Sequence, residues 1–326
     1  MIGVVGAAGT VGRRVVGFLD SWGASFVRRD ARLAGEERLD ASDTTAVARA
    51  LDGCAVCVNC AAYRLNLDVM LGALAAGAHY VDLGGLYHVT RRQLELDADF
   101  RAAGLTAIVG MGSAPGKTNL LVRAAADRLD SAPRVLEIWA ATRDPAAAGH
   151  PFPAPYSVVT LLDELRMRPV VVADGRPVEV EPLSGKASRQ FPEPVGSAEG
   201  VYTLHSELAT LPGAYPTLEE ASFRLCLSPG LLDKLLALGE GDTPEPYEQS
   251  ENAVAVHLVE VRNGRSVTAM TVTRGGSARS TAEPAARAAV ELAAGRIGRL
   301  GVHPPEAAIP DAEQFLSLLD TEVSFT

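Results

Sequence analysis

Over the first 142 residues short apolar runs alternate with helix-like stretches: IGVV, TVGRRVVGFLD, ASFV, ERLD, CAVCVN, HYVDL and TAIVG. That rhythm predicts a parallel sheet with crossover helices. Between CAVCVN and HYVDL lies LDVMLGALAAG, apolar at helical spacing and stopped by Gly77, which reads as one such crossover. Residues 116–129 read as a further helix opened by Pro115 and Gly116, and RVLEIWAAT (134–142) as a strand.

From Pro145 the pattern changes to the proline-rich DPAAAGHPFPAPY, which suits a surface connection between domains. Beyond it, Asp174–Gly175 and Asn263–Gly264 each separate two apolar or alternating runs, and such dipeptides tolerate the positive φ of hairpin turns. The second domain is therefore expected to be α+β with an antiparallel sheet. An Ala-rich helix over 283–298, with Pro284 in its first turn, is expected to return to the first domain. The fold class that results is α/β: a Rossmann-type parallel sheet, then from about Pro145 a second, α+β domain. The long hairpin around Asn263–Gly264 has an edge that needs covering by another element or subunit, which motivates a homodimer.

A chain of 326 residues, 47% hydrophobic and 21% charged, suits two globular domains. No apolar run approaches the ~18 residues of a membrane span, and the opening residues lack the pattern of a signal peptide. The expectation is a cytoplasmic protein without a membrane partner. A formal charge of −10 argues against nucleic acid. Cys54, Cys57 and Cys60 fall alternately on the two faces of a strand and Cys226 is distant in sequence, so core packing is expected and no metal site.

The sharpest motif is VVGAAGTVG. Gly6, Gly9 and Gly12 follow a short strand and open a helix, where glycine lets the backbone approach a pyrophosphate held by helix N-terminal amides; Ala8, Thr10 and Val11 complete the loop. The spacing is GxxGxxG rather than the commoner GxGxxG, and a tight turn alone is the competing reading. After the second strand come Arg28, Arg29 and Asp30. Arginine there can pair with the 2′-phosphate of NADP, whereas an inward Asp30 would favour NAD, so NADP is expected with NAD as the alternative. Asp40 follows the next short strand, near the adenine or merely capping a turn. Asn59, Cys60, Ala61 and Tyr63 lie just past a strand end, where ligands meet such sheets.

HYVDLGG ends a strand with Asp82, followed by Tyr87 and His88, and MGSAPGKTN ends the next with Pro115, Gly116 and Lys117 at a helix start. These groups can converge on one crevice outside the strand ends. Lys117, Asp82, Tyr63 and Tyr87 are the candidate proton carriers, with Pro115 and Gly116 against the cofactor and His88 toward substrate. A helix cap or turn is the competing role for Asp82, and a structural lysine for Lys117. In VYTLHSELATLP, His205 and Glu207 share a face if the segment is extended, which suits binding of an amino or carboxyl group as well as a solvent face.

Together VVGAAGTVG, CVNCAAY, AGAHYVDLGG, GSAPGKTN, VGSAEGVYTLHSELATL and GVHPPEAAI resemble the saccharopine dehydrogenase family, including saccharopine reductase and lysine 6-dehydrogenase. The resemblance runs through nearly the whole chain. It implies a Rossmann domain split over 1–141 and 280–326, a substrate and dimerisation domain inserted at 142–279, a nicotinamide cofactor, and oxidoreduction at a carbon–nitrogen bond of an amino acid or derived imine. Lys117 departs from the pattern, since an apolar residue usually follows the family's Pro-Gly. No tyrosine is followed four residues on by lysine, which leaves a short-chain dehydrogenase mechanism unsupported, and Cys226 would be the nucleophile of a semialdehyde dehydrogenase. Two further classes stay open: bound NAD(P) as an internal redox relay for cyclisation or transfer, and a non-catalytic NADP-binding sensor.

Overall fold

Residues Ile2–Val5 form β1 and are buried along their whole length, because strands pair with them on both sides. The computed structural model describes residues 1–326 except Pro229, Glu240, Gly241, Thr243, Glu245 and Pro246. Its chain divides into two units, Met1–Gly116 with Thr281–Leu319, and Lys117–Ser280 with Asp320–Thr326.

In the first unit β1 is followed by α1 (Thr10–Ser21), β2 (Phe26–Arg29), α2 (Thr44–Ala50), β3 (Val56–Asn59), α3 (Asn66–Ala75), β4 (His79–Asp82), α4 (Leu86–Leu94), α5 (Asp97–Ala102) and β5 (Thr106–Ile108). After the second unit, β14 (Gly301–His303) completes a parallel sheet in the order β14-β5-β4-β3-β1-β2. The helices bury their apolar faces against it: Val15 and Leu19 of α1, Val69, Met70 and Ala73 of α3, and Phe100 of α5. Strand order reverses between β1 and β3, and that switch point opens a crevice at the strands' carboxyl ends. ERLD, expected as a strand, contributes a single bridge between Asp30 and Arg38, after a 3-10 turn at Gly35–Glu37. Leu39 is its one apolar residue, too little to hold a further strand against the core.

The second unit contains α6 (Lys117–Ala126), β6 (Val135–Arg143), α7 (Val158–Arg166), β7 (Val170–Ala173), β8 (Arg176–Glu179), β9 (Ala187–Gln190), β10 (Ser197–Tyr202), α8 (Glu207–Ala214), β11 (Glu220–Cys226), α9 (Leu231–Leu236), β12 (Val254–Asn263) and β13 (Arg265–Arg274). With β15 (Glu322–Phe325) they form a sheet ordered β15-β13-β12-β6-β11-β10-β9, with β7 and β8 paired off β11. Both hairpins form where Asp174–Gly175 and Gly264 take positive φ. The sheet is mixed rather than antiparallel, since β6 and β11 run parallel. Their connection is long enough to hold α7, β7 to β10 and α8, so no hairpin forces them antiparallel. One face carries an apolar cluster of Trp139, Ala141, Cys226, Val256 and Leu258; α6 packs on β12 and β13.

Four expectations shift. The first boundary falls at Gly116/Lys117 rather than at 141/142, because α6 packs on the second sheet and β6 lies between β11 and β12. DPAAAGHPFPAPY accordingly belongs to the second unit and lines a cavity there instead of linking domains. The returning helix, α10 (Gly276–Ala293), begins before 283, so Pro284 sits inside it and removes one helical hydrogen bond. Short helices α11 (Pro305–Ala308) and α12 (Ala312–Ser317) follow β14. The β13 edge that motivated a homodimer is paired over Ala269–Val272 by β15 of the same chain.

Candidate functional site

The crevice at the β1/β3 switch point is built from backbone. Gly6 adopts φ 77°, and a Cβ there would lie 2.5 Å from the Ala61 nitrogen and the Cys60 carbonyl carbon. A Cβ on Gly12 would run into Gly6 O, so both glycines are needed for the loop to close against the helix and the neighbouring strand end. Gly9 caps α1, and the first-turn amides of Thr10, Val11 and Gly12 lie beyond the reach of intrahelical acceptors. The Cys60 amide donates to Val5 O and the Ala61 amide to Asn59 Oδ1, which fixes Asn59–Ala61 alongside the loop. Such donors at a helix N-terminus fit a pyrophosphate.

Asp30 ends the adjacent strand and is buried. Its carboxylate accepts from the Ala8 amide at 3.0 Å and from Arg32, through the backbone amide at 2.9 Å, Nε at 3.1 Å and Nη2 at 3.3 Å. Burial raises the Asp30 pKa, but these donors outweigh it and hold the group below its ordinary value. The Arg32 guanidinium lies 3.5 Å from where a Gly9 Cβ would stand, beside the glycine loop. Arg28 instead pairs with Glu37, and Arg29 donates to the carbonyls of Ala50 and Arg28. Asp40 is an exposed turn residue accepting from Ser42. Arg32, which sequence reasoning missed, is thus bonded to Asp30 and beside Gly9 of the loop, whereas Arg28 and Arg29 are engaged elsewhere. Its signal was present: arginine two residues after the acidic residue, within reach to fold back over it.

Asp82 has no exposed surface, and its two oxygens accept from four donors: Gln93 Nε2 at 2.5 Å, Gly110 N at 2.7 Å, Gly84 N at 2.9 Å and Tyr80 Oη at 3.1 Å. Burial raises its pKa against the lowering effect of those bonds. The Asn59 amide donates to Asn66 Oδ1 and Tyr80 Oη, so one buried network ties the ends of β3 and β4 to the loop at Gly110. Asn66, Tyr80 and Gln93 went unread in the sequence, although a tyrosine in a strand buried on both faces must find a partner for its hydroxyl. Tyr63 is half-buried beside Arg64, Tyr87 is buried, and His88 is exposed with its ring edge-on to Tyr87. Gly116 takes φ 122° and folds onto Gly112, with the Gly112 amide donating to Pro115 O at 3.0 Å.

Lys117 belongs to the second unit, whereas Asp82, Tyr63 and Tyr87 belong to the first. The lysine is 1% exposed, and Nζ donates to Thr273 Oγ1 at 2.7 Å and Ser280 Oγ at 2.6 Å. Thr271 and Thr273 share a face of β13, and His257 lies opposite Thr271 in register, so α6 sets its first residue against a polar patch of the sheet. Thr118 Oγ1 donates to Glu207 at 2.8 Å. His205 and Glu207, two apart in sequence, stand 3.4 Å apart, with Glu164 of α7 3.8 Å from the other ring nitrogen and Phe223 stacked at 3.6 Å. Burial opposes the imidazolium, but the two carboxylates prevail and raise the His205 pKa to about 9. His257 is pushed well below its ordinary value by burial, reinforced by Lys117 and His205. The second unit therefore buries the His205 imidazolium between two carboxylates, with a neutral imidazole at His257.

Residues 28–108 match the family described as the saccharopine dehydrogenase NADP binding domain. Over that stretch the chain is similar to the dinucleotide-binding domain of that family. The match begins after the glycine loop, so the loop is separate support for NAD(P) as the cofactor. Saccharopine dehydrogenase (L-Glu forming) from Saccharomyces cerevisiae shares the fold at a TM-score of 0.67 and 14% identity, over 100% of this chain and 99% of its own. The homospermidine synthase of Legionella pneumophila, determined in complex with NAD, shares it at 0.71 and 11%, over 100% and 91%. Among the described residues no group of three or more His, Cys, Asp or Glu side chains is arranged to hold a metal ion, and no helix is long and apolar enough to cross a membrane.

Proposed function

We infer that the protein is an NADP(H)-dependent oxidoreductase acting on a carbon–nitrogen bond of an amino acid or its derived imine. The observation that carries the cofactor preference is the closure of Asp30. An acidic residue at this strand end serves NAD by accepting from the ribose hydroxyls, but here its oxygens are taken by the Ala8 amide and by Arg32. A guanidinium at the loop suits the extra phosphate of NADP instead. Gly6, Ala8, Gly9, Thr10, Val11 and Gly12 would cradle the pyrophosphate, with Asn59, Cys60 and Ala61 along its other side and Pro115 and Gly116 toward the nicotinamide. The dinucleotide supplies or accepts the hydride.

The amino-acid substrate is argued from the two relatives of matching fold, one named for saccharopine and one for homospermidine. Lys117 is the side chain assigned to the substrate end, poised by Thr273 and Ser280. A screen of amines and cyclic imines for change in NAD(P)H absorbance, with lysine and ornithine included, tests the reaction. Lys117→Met should lose turnover and keep cofactor affinity, and unchanged kcat and KM would remove Lys117 from the mechanism. Arg32→Ala should weaken NADP(H) by at least about tenfold, the worth of one charge-assisted contact, and leave NAD(H) nearly unchanged; equal loss for both would sink the NADP preference.

A synthase with NAD bound on the same fold favours one second reading, an internal redox relay for transfer or cyclisation. Cofactor that copurifies and resists exchange, with no net change in absorbance on turnover, would select it.

A further inference from the structure

The second unit holds a cavity of about 360 Å³ at the carboxyl end of β6, lined by residues from the proline-rich segment after that strand and from α9. Pro151, Pro153, Pro155 and Leu231 give it an apolar wall. Two cations line it. Arg143, the last residue of β6, shares a face with Trp139 and Ala141 by strand alternation; it is half-buried, and its guanidinium has no carboxylate partner among the described residues. Lys234 of α9 donates to the His150 carbonyl, at 3.4 Å. The acidic residue in the lining, Asp144, is already engaged: it accepts from Ser250 N and Oγ at 2.7 Å each, from Ala146 N at 2.9 Å, and from the Tyr247 hydroxyl. The lining charges thus sum to one net positive, with a planar fork of donors left over.

We propose that this cavity binds a small organic carboxylate, its acid group held by Arg143, with Lys234 as second cation and the apolar stem against the prolines. A carboxylate matches the guanidinium fork edge to edge. Inorganic phosphate has no apolar stem to lay against Pro151, Pro153, Pro155 and Leu231, so it should bind less tightly. The site stands on the second unit alone and does not depend on the oxidoreductase reading.

Isothermal titration of the full-length protein with glutarate tests it, with cadaverine as the equally long dication and inorganic phosphate as an anion without a stem. Saturable heat with glutarate, weaker with phosphate and absent with cadaverine, is expected. R143Q should lower glutarate affinity by at least about tenfold, R143K by less, and both should bind NADPH as the parent does, which shows them folded. No saturable heat with glutarate, equal affinity in R143Q, or tighter binding of phosphate or cadaverine would overturn the proposal. If R143Q fails to bind NADPH, R143K and K234Q decide in its place, and unchanged glutarate affinity in both overturns it. A protein that binds glutarate through Arg143 yet oxidises no amine keeps this site and loses the proposed reaction.

Discussion

Asp82 and Lys117 are both buried, and what surrounds each separates their roles. With four donors on its two oxygens, Asp82 has no lone pair left to present to a substrate and serves to lock the ends of β4 and β5. In Asp82→Asn the amide oxygen can keep the Gly84 and Gly110 amides, but the amide nitrogen then faces the Gln93 side-chain nitrogen, a donor against a donor, so a loss of about 2–3 kcal/mol in urea unfolding is expected; lost turnover at an unchanged midpoint would instead make it catalytic. His205 yields a pH dependence. Its folded pKa of about 9 lies above the ordinary 6.5, so its stabilisation is complete below about pH 6.5 and disappears as pH rises through 9. Urea midpoints should fall across that window. In Glu207→Gln, which lacks one of the two carboxylates raising the pKa, the fall should be smaller and should end at lower pH; superimposable profiles would contradict the pairing.

At the level of elements, apolar patterning located most strands of the first unit because parallel strands are buried on both faces and leave continuous runs. ERLD failed for the same reason in reverse, having one apolar side chain to bury. Asp174–Gly175 and Asn263–Gly264 were legible because positive φ is a local demand that few residues meet. What covers the β13 edge was not legible, since β15 lies some fifty residues further on and pairs over only four. Removing residues 320–326 should leave that edge open. Light scattering should then show a mass that climbs with concentration, where the full chain does not climb; identical behaviour would mean β15 does not guard the edge.

For the molecule as a whole, bound dinucleotide should stabilise by mass action. At a hundredfold excess over Kd the gain is about 2.7 kcal/mol, read as a higher thermal midpoint. Hydrogen-exchange protection should concentrate at Gly6–Gly12 and Asn59–Ala61, and protection confined to the second unit would refute the placement of the cofactor. The division into units also belongs to this scale. Lys117 follows Gly116 directly in sequence, yet α6 packs on β12 and β13, which lie some 140 residues away.

The sequence by itself determined the parallel sheet, its glycine loop and the hairpin turns, because each rests on local periodicity or on a backbone conformation that only certain residues adopt, while the inserted-domain plan was what the family resemblance implied. Only the tertiary structure decided that Arg32 reaches the loop, that Asp82 is saturated with donors, that His205 is charged between Glu164 and Glu207, and that Arg143 has no carboxylate partner among the described residues. Those outcomes depend on side chains meeting across long stretches of chain, and on burial that makes a few ångströms of separation decide whether a charge is held or exposed.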